Sequence, residues 1–338
     1  MRALQLTGGF GLDHLQLNEL PEPSPGPGQV LIRVRAVSLN YRDLLVAKGL
    51  YSKKLPLPLT ICSDAAGEVI AVGAGVTRVK EGDRVAAIFM QGWLSGEPSE
   101  AKARTALGAA APGVLCERLL LQEEGVVHVP EHLSWEEAAT LPCAGVTAWH
   151  ALMVKGGLKC GDTVLTLGTG GVSLFAVQFA HMAGARIIST SSQDEKLERL
   201  EELGAHETIN YTTDPDWEET VRKLTPGGVD HVVEVGGAGT LPQSVRATRM
   251  GGKIHLIGNL ATKEGATECN PLPAMMKGIT IHGIFVGSRD MFEEMARAVE
   301  VHQMRPVVDH IFPFEQSADA LRHMEQGGHF GKICIGLD

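Results

Sequence analysis

The sequence predicts an α/β chain of two domains, a mostly β module and a doubly wound parallel sheet of six strands, and three observations carry that reading. Its 338 residues exceed what one hydrophobic core normally serves. The first third reads as short strands between Gly-rich turns, whereas from about Ser134 strands and helices alternate. At Thr163 to Met182 an apolar strand runs into a Gly-rich turn and then a helix, the start of a crossover unit.

Taken in order, Gln29 to Ser38 alternates and is β-branched, and Gly67 to Val72 and Asp83 to Ile88 repeat that character. Trp93 to Gly113 is rich in Ala, Gly and Pro and reads as a flexible loop or lid that a β module would place over a cleft. Ser134 and Glu137, three apart, suit a helix capping box. The parallel sheet takes Thr163 to Leu167, Ala185 to Thr190, Glu207 to Asn210, His231 to Val235, Lys253 to Ile257 and Thr280 to Ile284. Amphipathic helices around Phe292 to His302 and Gln316 to Gln326, then a strand at Lys332 to Leu337, return to the first module. The expected division is 1–130 with 288–338 against 131–287.

Composition narrows the function classes. Hydrophobic residues at 44% and charged residues at 21% are ordinary for a folded globular chain. A net charge of -10 with no Lys or Arg run argues against nucleic acid and anionic membranes as partners. Six scattered cysteines without a Cys-x-x-Cys spacing read as free thiols of a reducing compartment. Met1 to Phe10 lacks the apolar core of a signal peptide, and nowhere do about 18 apolar residues run together, so a cytoplasmic location is expected.

The segment Gly168-Thr169-Gly170-Gly171-Val172-Ser173 has the chemistry of a dinucleotide loop. Gly168 permits the tight turn, and Gly170 lets backbone amides, with Gly171 and Val172, approach a pyrophosphate at the helix N-terminus. Ser173 replaces the third Gly of the usual fingerprint, and a purely structural turn is the competing reading. An acid about 20 residues onward would favour NAD, yet the second strand ends in Thr190-Ser191-Ser192. Hydroxyls there tolerate a 2′-phosphate, and Lys196 one turn onward adds positive charge, so NADP(H) is expected. Lys196 could equally be a solvated helix lysine, and Asp194 and Glu195 leave NAD(H) open.

The whole chain resembles the medium-chain dehydrogenase/reductase superfamily, more closely its zinc-independent quinone oxidoreductase-like, zinc-type alcohol dehydrogenase-like branch. The resemblance rests on Ser38-Leu39-Asn40-Tyr41-Arg42-Asp43, Ser63-Asp64 to Val69, Gly82 to Val85, Leu141 to Trp149 with Cys143 and Thr147, and Gly331-Lys332. It implies a GroES-like catalytic domain, a Rossmann domain and an active site in the cleft between them. It further implies that Thr147, Gly258, Asn259 and Leu260 lie along the nicotinamide half, and that Phe285 and Val286 offer backbone to the carboxamide. Tyr211 would pack beside the adenosine phosphate, unless it is a half-exposed turn residue, and Asn40 and Lys332 join the cofactor-binding set.

Zinc-dependent relatives hold their ion with Cys, His and Cys. This chain has Asn40 and Ser63 at the first two positions and keeps only Cys143, so no metal is expected, although thirteen histidines lie elsewhere. Without a Lewis acid the substrate oxygen needs a hydrogen-bond donor. By resemblance Tyr51 and Asn40 are the candidates, with Asp64 in the same polar set. Tyr51 could be only a lid contact, Asp64 only a turn anchor, Asp43 a helix cap and Cys143 a buried small residue.

The expected activity is hydride transfer between NADP(H) and a small carbonyl, quinone or enone. Metal-free alcohol dehydrogenation and a nucleotide-binding redox sensor with little catalysis are the alternatives. The last strand of the parallel sheet lies at an edge that relatives pair across a two-fold axis, so a homodimer is expected unless the helix after Ser288 covers it.

Overall fold

A computed structural model describes residues 1–261 and 270–337. Contacts divide the chain into two units, Met1–Val146 with the segment from Val286 to the C-terminus, and Thr147–Phe285. The first unit thus continues past residue 130. Its extra segment carries the Ser134 capping box, in which Ser134 Oγ accepts from the Glu137 amide at 3.1 Å and Glu137 Oε2 from the Ser134 amide at 2.7 Å. Burial of Ala138, Ala139 and Leu141 and a hydrogen bond from the Cys143 amide to Asp64 bind this segment to the β unit rather than to the parallel sheet.

The first unit is built on a seven-stranded sheet. Its order is Val308–Pro313, Lys332–Gly336, Gln29–Ser38, Asp64–Val72, Arg84–Ala87 and Val126–His128, with Arg118–Gln122 pairing the other end of the long strand Gln29–Ser38. The C-terminal return is real, since Lys332–Gly336 inserts beside that central strand. Val30, Ile32, Val34, Leu119, Leu121, Ile333 and Ile335 fill one core. A smaller sheet of Leu15–Glu19, Arg2–Leu6 and Leu59–Thr60 adds Leu4 and Leu6 to it.

Trp93 to Gly113, expected as a flexible loop or lid, is a loop anchored by packing at both ends. Trp93 is fully buried and its Nε1 donates to the Gly96 carbonyl at 2.8 Å. The Leu107 amide donates to Phe89 O at 3.0 Å and the Gly113 amide to Thr60 O at 2.8 Å. A Cβ at Gly108 or Gly113 would stand 2.4 Å from Cys62 O or 2.2 Å from Ile61 O. Gly108 and Gly113 therefore serve close backbone packing, while the stretch around the short helix Glu100–Ala103, and Ala110 and Pro112, are exposed.

The second unit is a six-stranded parallel sheet in the order Glu207–Asn210, Arg186–Ser191, Thr163–Leu167, Val229–Glu234, Thr248–Leu256, Thr280–Gly283. The order reverses beside Thr163–Leu167, which is where sheets of this type bind ligands at the C-terminal ends of their strands. Leu165, Ile188, Ile209, Val232 and Ile254 from five strands pack with Trp217, Val221 and Val245. The helix Gly171–Met182 buries Leu174, Phe175, Val177 and Phe179, so it is apolar on most of its circumference. Among the described residues no helix is long and apolar enough to cross a membrane.

Candidate active site: a buried polar cluster and a Gly-rich loop

In the first unit, Asn40, Ser63, Asp64, Cys143 and Lys332 meet at the ends of three neighbouring strands. The Asn40 amide N–H donates to Asp43 Oδ2 at 2.8 Å, so Asp43 does cap the helix Tyr41–Ala47. Asn40 Nδ2 lies 3.4 Å from Ser63 Oγ, which donates to Asp64 Oδ1 at 2.7 Å, while Asp64 Oδ2 accepts from the Cys143 amide at 3.0 Å. Lys332 Nζ donates to Asn40 Oδ1 at 2.6 Å and also to the Leu39 carbonyl. Asp64 is 0% exposed, Lys332 4% and Asn40 8%.

Burial dominates the electrostatics. It raises Asp64 above its ordinary value, against the lowering influence of the Lys332 ammonium and of the hydrogen bonds from Asn40, Ser63 and the Cys143 amide. It lifts Asp43 to about 6, with the Arg42 guanidinium and the Asn40 amide pulling the other way. The Cys143 and Cys62 thiols are pushed up by the same cause. Cys62 also adopts φ +67, a left-handed turn that delivers Ser63 and Asp64 into the cluster.

Tyr51 is 43% exposed, and its ring lies 5.0 Å from the Arg42 guanidinium, which is also 4.7 Å from the Phe89 ring. Arg42 Nη1 donates to Leu107 O at 2.9 Å, which fixes the guanidinium under the tyrosine.

The donor set does not suit zinc. An amide, a hydroxyl and a single thiol stand where a cation would need two thiolates and an imidazole, and an ammonium already occupies the amide oxygen. Among the described residues, no group of three or more His, Cys, Asp or Glu side chains is arranged to hold a metal.

In the second unit, Gly168 has φ +71, and a Cβ at Gly168 or Gly170 would meet nothing within 4 Å, so no side chain or backbone of the described residues crowds the loop. The helix Gly171–Met182 begins there, its first intrahelical bond running from Leu174 N to Gly170 O at 3.0 Å. The amides of Gly171 and Val172 precede that bond and belong to the turn a helix leaves to a ligand. Ser173 is buried and its Oγ donates to Leu167 O at 2.7 Å, which ties the helix to the preceding strand.

Ser191 ends its strand buried, Ser192 follows half-buried, and Lys196 is only 9% exposed rather than a solvated lysine. Asp194 is engaged elsewhere, accepting from Asn210 Nδ2 at 2.6 Å. Tyr211 is half-exposed beside this strand end, its amide donating to Ser191 O at 3.0 Å. Thr147 is buried, and Gly258, Asn259 and Leu260 follow the fifth strand, with Leu260 N donating to Val235 O at 3.1 Å. Phe285 is exposed at the end of this unit, and Val286, the first residue of the other, holds φ +52.

Two groups escape a reading of the sequence. Glu234, wholly buried, accepts from the Gly236 and Gly237 amides at 2.8 and 3.0 Å, from Thr240 Oγ1 at 2.6 Å and from Ser244 Oγ, and so organises the loop against which Asn259 rests. An acid at a strand end followed by a Gly-rich turn is its signal. His231, His255 and His282 stack across three strands with ring centroids 5.5 and 5.7 Å apart, which sequence spacing does not reveal.

Residues 26–131 match the alcohol dehydrogenase GroES-like domain family and residues 171–300 the zinc-binding dehydrogenase family. A zinc-type alcohol dehydrogenase-like protein of Schizosaccharomyces pombe is 42% identical over 97% of this chain and 96% of its own length. A solved NAD-dependent alcohol dehydrogenase is 35% identical with a TM-score of 0.91 over 100% of both chains. A mycobacterial quinone oxidoreductase, and a mycobacterial protein complexed with NADPH, are each 26% identical with a TM-score of 0.82 over 100% of both chains. The β unit is thus GroES-like and the parallel sheet a Rossmann domain.

Proposed function

The chain belongs to the medium-chain dehydrogenase/reductase superfamily and is an NAD(P)-dependent oxidoreductase, and from that premise we propose that it moves hydride between NADP(H) and a small carbonyl, quinone or enone substrate without zinc. The observation that carries this reading is the Asn40–Ser63–Lys332 cluster, which puts hydrogen-bond donors and a resident ammonium at positions where a metal-dependent relative needs metal ligands.

Bound NADP(H) would supply or accept the hydride. The first unit would supply the donors that stabilise charge on the substrate oxygen, the Asn40 Nδ2 group and the Tyr51 hydroxyl. Asp64 would act through Ser63 and the Cys143 backbone, since it has no exposed surface. In the second unit the amides of Gly168, Gly170, Gly171 and Val172 would hold the pyrophosphate. Ser191, Ser192 and Lys196 would take the 2′-phosphate, and Tyr211 would lie beside the adenosine. Asp194, which could otherwise serve a ribose diol, is already bonded to Asn210, and this favours NADP(H).

Thr147, Gly258, Asn259 and Leu260 would line the nicotinamide half, with backbone groups of Phe285 and Val286 on its carboxamide. A β-branched residue at φ +52 costs roughly 1–3 kcal/mol, strain that a functional backbone position accounts for. The strand Thr280–Gly283 is an exposed edge with Ile281 half in solvent, which supports a homodimer, and the scattered free thiols support a cytoplasmic location.

The test is a parallel titration of chelator-treated protein with NADPH and NADH by nicotinamide fluorescence, followed by quinone, enone and alcohol panels. The expected result is at least about tenfold tighter binding of NADPH, turnover with a quinone or enone that survives chelation, and reversal of the preference in Lys196→Glu. Tyr51→Phe should lower turnover about tenfold or more with NADPH affinity unchanged. Tighter NADH binding with alcohol oxidation would replace this reading, and binding of neither nucleotide would end it.

A further inference from the structure

We infer that Lys332 is a positioning residue, whose buried ammonium locks the Asn40 carboxamide so that its N–H₂ group, and not its carbonyl, faces the reacting oxygen. The inference deepens the proposed function and rests on its reading of Asn40 as the donor.

An asparagine side chain has one end that only accepts and one that only donates, and its neighbours decide which end points where. Here both neighbours give the same answer. Lys332 Nζ carries three donors and no acceptor, and it stands 2.6 Å from Asn40 Oδ1. On the other side Ser63 Oγ spends its single hydrogen on Asp64 Oδ1, so towards Asn40 it presents lone pairs. Rotating the amide by half a turn would set N–H₂ against an ammonium and a carbonyl against those lone pairs. Two donor–acceptor contacts would become two repulsive ones, in an interior where unpaired polar groups are costly.

The lysine is itself fixed. Its backbone N–H donates to Val307 O at 3.0 Å, the Leu39 amide donates to Ile333 O at 2.9 Å, and its ammonium also donates to Leu39 O. A Cβ at Gly331 would stand 2.5 Å from Val307 O, so the chain reaches this strand through a glycine at φ +97. The Asn40 backbone is held by Asp43. With Oδ1 committed, one Nδ2 hydrogen is directed at the Ser63–Asp64 pair, where Ser63 Oγ lies at a long 3.4 Å and the Asp64 carboxylate also accepts, and the other Nδ2 hydrogen is assigned to a ligand oxygen. The competing role for Lys332 is direct contact with the cofactor.

The two roles separate in a double-mutant cycle with Asn40→Ala, Lys332→Met and the double variant, reading NADPH affinity by fluorescence, turnover with the best acceptor of the panel, and the thermal midpoint. Expected are a loss of kcat on the order of 100-fold in Asn40→Ala and about 10-fold or more in Lys332→Met, with no further loss in the double variant. NADPH affinity should change less than about threefold, and Lys332→Arg should recover part of kcat. Should Lys332→Met fail to fold, Asp64→Asn with Lys332→Met removes both charges and serves in its place. Multiplying losses, or a tenfold weaker NADPH affinity that persists without Asn40, would overturn the inference and leave the proposed function standing. Full turnover in Asn40→Ala would overturn the inference together with the donor role of Asn40, and would leave the hydride transfer itself standing.

Discussion

The two units bury ionisable groups in opposite ways. In the first, Asp43 and Asp64 sit with the Lys332 ammonium and the Arg42 guanidinium close by, so anions and cations share one interior and each offsets the desolvation of the other. In the second, His231, His255 and His282 stack on one another. Among the described residues His231 alone of the three has a hydrogen-bonded carboxylate, Asp162 Oδ2 at 3.2 Å from its Nε2. If His231 donates to Asp162, its Nδ1 accepts from His255 Nε2 at 3.2 Å, and His255 Nδ1 is left as a buried lone pair without a partner. Burial, then neighbouring His231, His282 and Lys253, lower His255 to about 3. Burial therefore leaves charges in place where opposite charges meet, and favours a neutral imidazole where the neighbours of His255 are other histidines and Lys253.

The largest expected effect breaks the first arrangement. Lys332→Met should cost about 3 kcal/mol of first-unit stability, because the buried Asp64 carboxylate loses its cation. Adding Asp64→Asn should return at least half, as read by urea unfolding with hydrogen exchange on peptides of each unit. A cost below about 1 kcal/mol would mean that the ammonium does not support the cluster.

Acid should next set the units apart. His255 has a folded-state pKa below its unfolded value of 6.5, so its contribution is complete above pH 6.5 and is lost as pH falls towards 3. Between pH 7 and 5 that removes about 2 kcal/mol from the second unit. Asp43 has the reverse sign, since its raised pKa makes its contribution complete below 3.8 and lost as pH rises through about 6, so the same acidification strengthens the first unit by about 1 kcal/mol. Exchange at pH 5 should accelerate in Thr163–Leu167 and Thr248–Leu256 before Gln29–Ser38. His255→Gln should remove most of that pH dependence, and an unchanged slope would separate the stack from it.

The smallest effect sharpens the contrast within the second unit. Ser173→Gly restores the usual third glycine yet deletes the Ser173 Oγ to Leu167 O bond, and should cost about 1 kcal/mol with NADPH affinity unaltered. A matching loss of affinity would place Ser173 on the ligand instead.

Features closed within a few residues are legible in the sequence. The Ser134–Glu137 box depends on a spacing of three, the Gly168 turn on the absence of a side chain, and each parallel strand on a short β-branched run, and all lie within a few residues of their expected positions. The Trp93 to Gly113 segment is ambiguous because small residues mark both flexibility and close approach. The partner backbone that distinguishes these meanings, Ile61–Cys62, comes from a distant part of the chain.

Local pattern thus suffices for the elements, the six-stranded architecture and the Gly-rich loop, since those are written in spacing and side-chain type. Strand register alone brings Lys332 to Asn40 across 292 positions and aligns three histidines on neighbouring strands. Whether a buried group keeps its charge depends on which partners register places beside it in a low-dielectric interior, and no spacing along the chain encodes that.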